Sequence, residues 1–285
     1  MRGSIFGVCC LIALGLGCTG CTGFEILNAP VCSCGYVRTT NIAYGDQPRQ
    51  TLDVYRPKGA APDARVVIFF YGGDWQTGKK ADYRFAAAAL AGRGFFVVLP
   101  DYRLYPQAMF PAFVQDGARV VRWAHDNVSR FGGDPNYLYL MGHSAGAHIA
   151  ALLTLDGHYL KDVGLNTNVI RATAALAGPY CFDPSPGDRP VFGMGPDDWP
   201  NPKIEPMCFV NGHSPPMLVL QGMDDTTVDP REAVRFAHAI QAAGGESRLV
   251  EYRCRGHRAL VIALDWPFRW VAPVLRDTSD FFYRH

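Results

Sequence analysis

The hydrophobic residues of this chain follow two periodicities. Five short runs are continuously apolar or nearly so, which is typical of strands buried on both faces of a sheet, and a more polar run at 248–253 is predicted as the last strand. Two earlier segments alternate polar and apolar residues around a turn at Gly45-Asp46, as an antiparallel hairpin does. The predicted strands are, in chain order, 39–44, 50–56, 65–71, 95–99, 137–141, 172–177, 217–221 and 248–253.

Segments with helical spacing of apolar residues lie between most of these strands. In residues 111–127, for example, Val114, Ala118, Val121 and Ala124 fall on one helical face. The predicted helices are 81–91, 111–127, an Ala- and Leu-rich run that follows Ser144, 230–243 and 266–283. Strands that alternate with helices predict an α/β fold: an open, mostly parallel eight-stranded sheet covered by helices on both faces. Catalytic residues in such a sheet are expected at the carboxyl ends of the strands.

One segment breaks this alternation. Residues 180–214 carry no periodic pattern and contain many prolines together with Phe192 and Trp199. The prolines are Pro184, Pro186, Pro190, Pro196, Pro200, Pro202 and Pro206. Long irregular insertions in compact domains are commonly lids or binding loops. We therefore predict an irregular cap over a pocket, and residues 180–214 are called the cap below.

Residues 1–21 resemble an export signal. Arg2 supplies a positive charge, residues 5–16 are apolar, and small residues follow. The apolar run is too short to remain as a membrane span. Residues 22–36 are then predicted to be a tether, and residues 37–285 a single folded domain.

The end of that signal contains a candidate lipidation site. Gly15-Leu16-Gly17-Cys18 resembles the bacterial lipoprotein cleavage box, although leucine usually stands where this chain has Gly15. Cys18 is the lipidation candidate, and Cys21 is a second one. The protein is accordingly expected to be exported, as a periplasmic or membrane-anchored lipoprotein, with plain secretion as the alternative.

The chain has nine cysteines, and export would place those of the mature protein in an oxidising compartment. Five of them lie in the folded part: Cys32, Cys34, Cys181, Cys208 and Cys254. In an oxidising compartment some should pair, and Cys181 with Cys208, which flank the insertion, form the predicted disulfide. The N-terminal cysteines lack the usual spacing of a zinc site, and no H-E-x-x-H motif occurs, so no metal is predicted.

Composition and charge limit the number of domains and the kinds of partner that the chain can have. With 285 residues and 48% hydrophobic content, the chain can bury one large core, and a second domain is not required. The 27 basic and 26 acidic residues give a net charge of +1 and form no long run of one sign. We therefore expect no nucleic-acid partner.

The candidate chemistry centres on residues 137–155. A β-prone run meets Gly142-His143-Ser144-Ala145-Gly146, and a helix-prone run follows at once. This is G-x-S-x-G in the strand-turn-helix setting in which the serine is a nucleophile. Glycine at both flanking positions removes Cβ clashes in the sharp turn. Ser144 is thus the predicted nucleophile, and the helix N-terminus beside it can stabilise negative charge.

A serine nucleophile needs a base and an acid that orients the base, which follow in the order Ser, acid, His. Asp225 follows the strand at 217–221, and its distances from Gly222 and Val228 favour it over Asp224. His257 follows the last strand, behind a glycine. We predict that His257 is the general base and that Asp225 orients it.

Two further groups complete the predicted site. Gly72-Gly73-Asp74-Trp75 follows the third strand, and glycines there let the backbone N–H groups face a substrate. The predicted oxyanion hole consists of Gly72, Gly73 and Ala145. Trp75 and Tyr71 are the candidate substrate-binding residues.

The chain resembles the α/β-hydrolase superfamily at these residues. Within it the resemblance is to esterases that include bifunctional feruloyl/acetylxylan esterases (BD-FAE), kynurenine formamidase and isoprenylcysteine methylesterases. It covers about residues 38–283. The motifs that carry it are LDVYRP (52–57), YGGDW (71–75), DYRLYP (101–106), FGGDP (131–135) and GHSAGAH (142–148). Tyr71 stands where this group usually has histidine, and tyrosine cannot reproduce the two-sided hydrogen bonding of an imidazole.

The resemblance implies a serine esterase. Together with the predicted export, it favours short acyl esters of carbohydrates or small molecules as substrates, and no cofactor is implied. One alternative is an arylformamidase-type amidase. Another is a catalytically silent binding module with a hydrolase fold. The sequence specifies neither the acyl group, the alcohol nor the oligomeric state.

Overall fold

The fold was analysed in a computed structural model that describes residues 23–59 and 63–285. The predicted signal, including Cys18 and Cys21, lies outside these residues. No helix within the described ranges has the length and apolar character needed to cross a bilayer.

All eight predicted strands are present, with small shifts at their ends. They are β1 (Tyr36–Ala43), β2 (Thr51–Pro57), β3 (Ala64–Phe70), β4 (Phe96–Pro100), β5 (Gly133–His143), β6 (Ile170–Leu176), β7 (Met217–Gly222) and β8 (Ser247–Tyr252). They form one sheet in the order β1-β2-β4-β3-β5-β6-β7-β8. β1 pairs antiparallel with β2, and β2 pairs antiparallel with β4. All the other pairs are parallel, so the predicted mostly parallel sheet is confirmed.

Eight α-helices accompany the sheet in the described residues. They are α1 (Gly23–Asn28), α2 (Arg84–Ala91), α3 (Ala112–Asn127), α4 (Ala145–Leu155), α5 (His158–Asp162), α6 (Pro230–Ala242), α7 (Ala259–Ile262) and α8 (Val274–Arg284). The chain passes from β3 through α2 to β4 on one side of β3, and returns through α3 to β5 on the other side. Because crossovers between parallel strands are right-handed, connections that run in opposite directions place their helices on opposite faces. The order reverses at β3, so the carboxyl ends of β3 and β5 flank the crevice where such sheets bind ligands.

The segment predicted as a tether is partly folded onto the domain. In α1, the Phe24 ring lies 5.2 Å from the Tyr83 ring. The Asn28 side chain donates to the Asp82 carbonyl at 2.7 Å and accepts from the Phe85 N–H at 3.0 Å. Residues 23–28 therefore form a docked helix, in contrast to the predicted tether.

The closing helix predicted at 266–283 is shorter and interrupted in the structure. A 3-10 helix spans Trp266–Phe268, and α8 begins only at Val274, directly after Pro273. Proline fixes its own φ and restricts the residue before it, so helix boundaries commonly fall there. The helix predicted at 81–91 similarly begins as a 3-10 turn, Lys80–Tyr83, before α2.

The cap contains three short 3-10 helices: Arg189–Phe192, Pro202–Ile204 and Pro206–Phe209. Its base is held by backbone hydrogen bonds. The Met207 N–H donates to the Tyr180 carbonyl at 2.9 Å, and the Phe110 N–H donates to the Val191 carbonyl at 2.8 Å. The cap is therefore irregular in secondary structure but well connected to the domain.

The predicted disulfide between Cys181 and Cys208 is wrong for this structure, in which both are free thiols. Burial and the adjacent Glu205 carboxylate raise the pKa of the Cys181 thiol to about 11. Because disulfide formation proceeds through the thiolate, such a thiol is a poor starting point for pairing.

Candidate active site

The predicted nucleophile lies in a strained turn between β5 and α4. Ser144 has φ 55°, a conformation that side-chain-bearing residues seldom adopt. Its N–H donates to the Leu176 carbonyl at 2.9 Å, which fixes the turn against the neighbouring strand. This bond and the pairing of β5 with β6 hold the strained backbone in place.

The flanking glycines are required by close backbone contacts, as the sequence predicted. A Cβ atom on Gly142 would collide with the Gly146 carbonyl, and one on Gly146 would collide with the Phe70 carbonyl. The start of α4 can therefore approach the ends of β3 and β5 only without these side chains.

Three predicted catalytic residues are brought together in a hydrogen-bonded line. Ser144 Oγ lies 2.9 Å from His257 Nε2, and His257 Nδ1 lies 2.8 Å from Asp225 Oδ2. A carboxylate can only accept, so Nδ1 carries the proton and Nε2 is the acceptor for the Ser144 hydroxyl. These residues, 113 and 32 positions apart along the chain, meet because each follows a strand at the same edge of the sheet.

The Asp225 carboxylate is buried and fully hydrogen-bonded. Its Oδ1 accepts from the N–H groups of Thr227 and Val228, and its Oδ2 accepts from the Gln221 amide as well as from His257. Burial alone would raise the pKa of Asp225, but the hydrogen bonds from His257 and from the backbone lower it below its usual value. Asp224, the residue that the spacing disfavoured, is exposed.

A glycine-containing loop lies beside the nucleophile. Residues 71–78 are called the oxyanion loop below. A Cβ on Gly72 would lie 3.0 Å from Ser144 Cβ, so the loop backbone passes directly alongside the serine. Gly73 has φ 133°, which is accessible mainly to glycine. Across residues 23–59 and 63–285, the N–H groups of Gly73 and Ala145 reach no protein acceptor, so both can donate to a substrate oxygen.

Both predicted substrate-binding residues, Tyr71 and Trp75, are buried. Tyr71 is fully buried, which argues against the predicted contact with a substrate. Its ring stacks on Tyr83 and Tyr102, with centroids 5.4 and 4.6 Å away. Trp75 is only 5% exposed and packs against Phe182 and Phe192 of the cap, so its contact with a substrate stays a prediction.

His143, the residue before the predicted nucleophile, has a partner in the site. Its Nε2 lies 3.1 Å from the His257 carbonyl, where an Nε2–H can donate. Burial, and the nearby His257, lower the pKa of His143 to about 3, so it remains a neutral donor. His143 thereby ties the loop of the predicted base to the strand of the predicted nucleophile.

His148 connects the nucleophile helix to the cap. It is fully buried, and its Nε2 lies 2.7 Å from the Ile204 carbonyl. Burial lowers its pKa from 6.5 to about 4. The folded protein therefore excludes a proton that the unfolded chain binds as soon as the pH falls below 6.5.

We expect this buried histidine to weaken the fold in acid. The stabilisation is complete above pH 6.5 and is lost as the pH falls from 6.5 to about 4, by about 1.4 kcal/mol per pH unit. Urea denaturation of the wild type and of His148→Gln, which keeps an N–H donor, should show a shallower pH slope for the variant. The exposed His213 supplies the control His213→Gln. An unchanged slope in His148→Gln would contradict the assignment.

Several residues of the site carried no signal in the sequence. Gln221 and His143 support the triad, and Glu232 on α6 accepts from the N–H groups of Tyr180 and Cys181 at the start of the cap. The partners of His143 and Glu232 are 114 and 52 residues away along the chain, so no local pattern could have revealed them, and no motif marks Gln221, although it lies only four residues before Asp225. No group of three or more His, Cys, Asp or Glu side chains among the described residues is arranged to hold a metal ion.

Comparison with known proteins gives a family match and several relatives. Residues 52–175 match the model of the BD-FAE family. The chain is 34% identical over 242 residues to isoprenylcysteine alpha-carbonyl methylesterase ICME of Arabidopsis thaliana, covering 78% of this chain and 57% of that protein. It is 31% identical to esterase LipC of Mycobacterium tuberculosis, covering 75% of this chain and 58% of that one. Over 144 residues it is 37% identical to kynurenine formamidase of Danio rerio, covering 50% of this chain and 47% of that one. The chain thus spans about half the length of these relatives.

Solved structures show the same architecture. A truncated carbohydrate esterase from gut microbiota superposes with a TM-score of 0.76 at 23% identity, covering 88% of this chain and 96% of that one. Thermogutta terrifontis esterase 2, phosphorylated by paraoxon, superposes with a TM-score of 0.72, also at 23% identity, covering 89% of this chain and 95% of that one. At this identity the likeness establishes the fold.

Proposed function

Because this chain is an α/β-hydrolase with a BD-FAE domain, we propose that it is a serine esterase that cleaves carboxylic esters. The observation that carries the proposal is the continuous line from Ser144 Oγ through the His257 ring to Asp225, beside the N–H groups of Gly73 and Ala145. This combination suits acyl transfer, in which a hydroxyl attacks a carbonyl and the resulting oxyanion needs donors.

In the proposed first half-reaction, the Ser144 hydroxyl attacks the ester carbonyl and His257 Nε2 takes its proton. Asp225 stabilises the imidazolium that forms, through the hydrogen bond at Nδ1. The N–H groups of Gly73 and Ala145, with the adjacent Gly72 backbone, hold the tetrahedral oxyanion. The intermediate then collapses, the bond to the alcohol breaks, and His257 delivers its proton to the departing alkoxide.

The second half-reaction repeats this sequence with water. His257 takes a proton from water, the resulting hydroxide attacks the acyl-enzyme, and the carboxylic acid leaves as Ser144 regains its proton. Over the whole cycle one water molecule is consumed, one alcohol and one carboxylic acid are released, and the enzyme returns to its starting state. The chain's own residues supply every proton transfer in this scheme.

The proposed substrates are short acyl esters of carbohydrates or small molecules. Trp75, Phe182 and Phe192 form an aromatic cluster where the cap meets the oxyanion loop. Such a surface suits a compact acyl or aryl group. We further propose export through residues 1–21 and lipidation at Cys18, on the basis of the signal-like sequence alone.

Hydrolysis of p-nitrophenyl acetate and butyrate by the purified protein tests the proposal. We expect burst kinetics, saturable turnover and faster cleavage of acetate than of butyrate. Stoichiometric labelling of Ser144 by an organophosphate should abolish turnover. A folded protein that neither turns over these esters nor is labelled would contradict the proposal and favour the silent binding module.

An arylformamidase is the second candidate, supported by the 37% identity to kynurenine formamidase over 144 residues. The same triad can cleave a formyl amide if the cap accommodates an aryl amine. Comparing kcat/KM for an N-formyl arylamine with that for phenyl acetate distinguishes the two. A larger value for the formamide would replace the esterase assignment.

A further inference from the structure

The oxyanion loop has an unusual concentration of strained backbone. Gly73, Asp74 and Trp75 have φ values of 133°, 52° and 58° in succession. For residues with side chains this conformation costs about 1–3 kcal/mol each, and it persists only where surrounding contacts enforce it. Within the loop, the Gly73 carbonyl accepts from the N–H groups of Gln76 and Thr77. Those bonds close the turn but leave both of its ends to be held from outside.

Arg49, in the turn between β1 and β2, contacts both ends of the loop. Its Nη2 donates to the Tyr71 hydroxyl at 2.7 Å and to the Gly78 carbonyl at 2.9 Å. Its Nε donates to the Tyr102 carbonyl at 2.8 Å, which fixes the guanidinium on the segment after β4. One planar group thus joins the first and last residues of the oxyanion loop to a third segment of the domain.

Tyr71 and Asp101 complete this arrangement. The Tyr71 hydroxyl accepts from Arg49 and donates to Asp101 Oδ1 at 3.0 Å. Burial, with the Asp101 charge, raises the pKa of Tyr71 well above its usual value, so the hydroxyl keeps its proton. Asp101 also accepts from the Lys80 N–H at 2.6 Å, just beyond the loop. The Tyr71 hydroxyl therefore links a cation and an anion.

We propose that Arg49 is a positioning residue that sets the geometry of the oxyanion loop through Tyr71 and Gly78. This inference rests on the proposed esterase function. Its physical basis is that the N–H of Gly73 must point to where the oxyanion forms, and that Arg49 contacts both ends of the strained turn that aims it. The Tyr102 hydroxyl, which donates to the Tyr71 carbonyl at 2.7 Å, and the Tyr105 N–H, which donates to the Trp75 carbonyl at 2.9 Å, hold other points of the same turn. The Arg49 side chain is 33% exposed, so its ion pair with Asp101 at 3.6 Å contributes little stability by itself. Replacing Arg49 should therefore lower the stabilisation of the transition state more than the stability of the fold.

The test compares Arg49→Met with the wild type, using p-nitrophenyl acetate and an alkyl trifluoromethyl ketone. The ketone forms a hemiketal with an active serine, and its oxyanion reports on the hole. We expect kcat per titrated site to fall by about 10- to 100-fold, less than the loss of a donor outright. The ketone Ki should rise by a similar factor, while KM changes by less than about threefold. Arg49→Lys should be intermediate, because an ammonium lacks the planar fork.

Arg65→Met is the matched control. Arg65 donates to the Phe282 carbonyl at 2.6 Å at the start of β3, the end of that strand away from the oxyanion loop. It should leave the ketone Ki and kcat per titrated site near the wild-type values, even if the protein melts at a lower temperature.

Active-site titration with an organophosphate separates positioning from folding. A fall in the titrated fraction or the melting temperature, with wild-type Ki and kcat per site, would overturn the inference. So would an equal rise in Ki for Arg65→Met. If the wild type itself is not labelled and shows no turnover, the proposed esterase function, on which this inference rests, is contradicted.

Discussion

Replacing Ser144 by alanine is expected to lower kcat for p-nitrophenyl acetate by about 10⁵- to 10⁶-fold, as loss of the nucleophile does in other serine hydrolases. The change removes the only hydroxyl within hydrogen-bonding distance of His257 Nε2 among the described residues. Alanine also lacks the side-chain oxygen that an organophosphate would modify. The measurement is steady-state hydrolysis together with mass spectrometry after labelling, with circular dichroism to establish that the variant is folded.

Ser279→Ala provides the matched control for this change. Ser279 is also a buried serine, and its hydroxyl donates to the Leu275 carbonyl at 2.6 Å within α8, away from the site. It should retain wild-type kcat and labelling. Turnover that survives in Ser144→Ala at more than about one-thousandth of the wild-type rate would show that the esterase chemistry does not depend on this residue.

Asp225→Asn is expected to lower kcat by about 10⁴-fold with little change in the fold. Asp225 Oδ1 accepts from two backbone N–H groups, so the asparagine oxygen should occupy that position and its NH₂ should face His257. The Gln221 amide can adapt, because its Oε1 has no partner in the described structure and can turn to accept from that NH₂. His257 would then carry its proton on Nε2 and could not accept the proton of Ser144.

Asp224→Asn is the comparison, since it makes the same chemical change one residue earlier on an exposed side chain. It should keep kcat within about twofold of the wild type, as is usual for surface changes that break no site contact. Equal losses in the two variants would indicate a general effect on the loop. A loss confined to Asp224→Asn would reverse the assignment of the acid.

The sequence predicted the strands and the triad because both depend on local patterns. Buried strands produce apolar runs, and a topology with parallel strands brings the residues after those runs to one edge. Gly142 could be explained before the structure was available, since the collision that it avoids is with Gly146 of the same motif, whereas Gly146 avoids the Phe70 carbonyl of β3, which the motif alone does not reveal.

Contacts between distant segments could not be predicted in this way. Arg49 lies 22 residues from Tyr71 and 53 from Tyr102, and nothing in its neighbourhood marks it as a partner of the oxyanion loop. The replacement of histidine by Tyr71 was visible, but its hydrogen-bond partners were not. Docking of α1 was missed for the same reason, because a six-residue helix gains its stability from packing and has no strong pattern of its own.

The cap is attached to the domain at both of its ends and along the segment between them. The ends are anchored by Glu232, which accepts from the N–H groups of Tyr180 and Cys181, and by His148, which contacts the Ile204 carbonyl. Glu232 lies on α6, directly after the loop that carries Asp225, so changes at that end would be transmitted to the triad. Residues 183–203 lie between these anchors. That segment packs on the oxyanion loop through Phe192 and Trp75, so a substitution in it would change both which esters are admitted and the loop that holds the oxyanion.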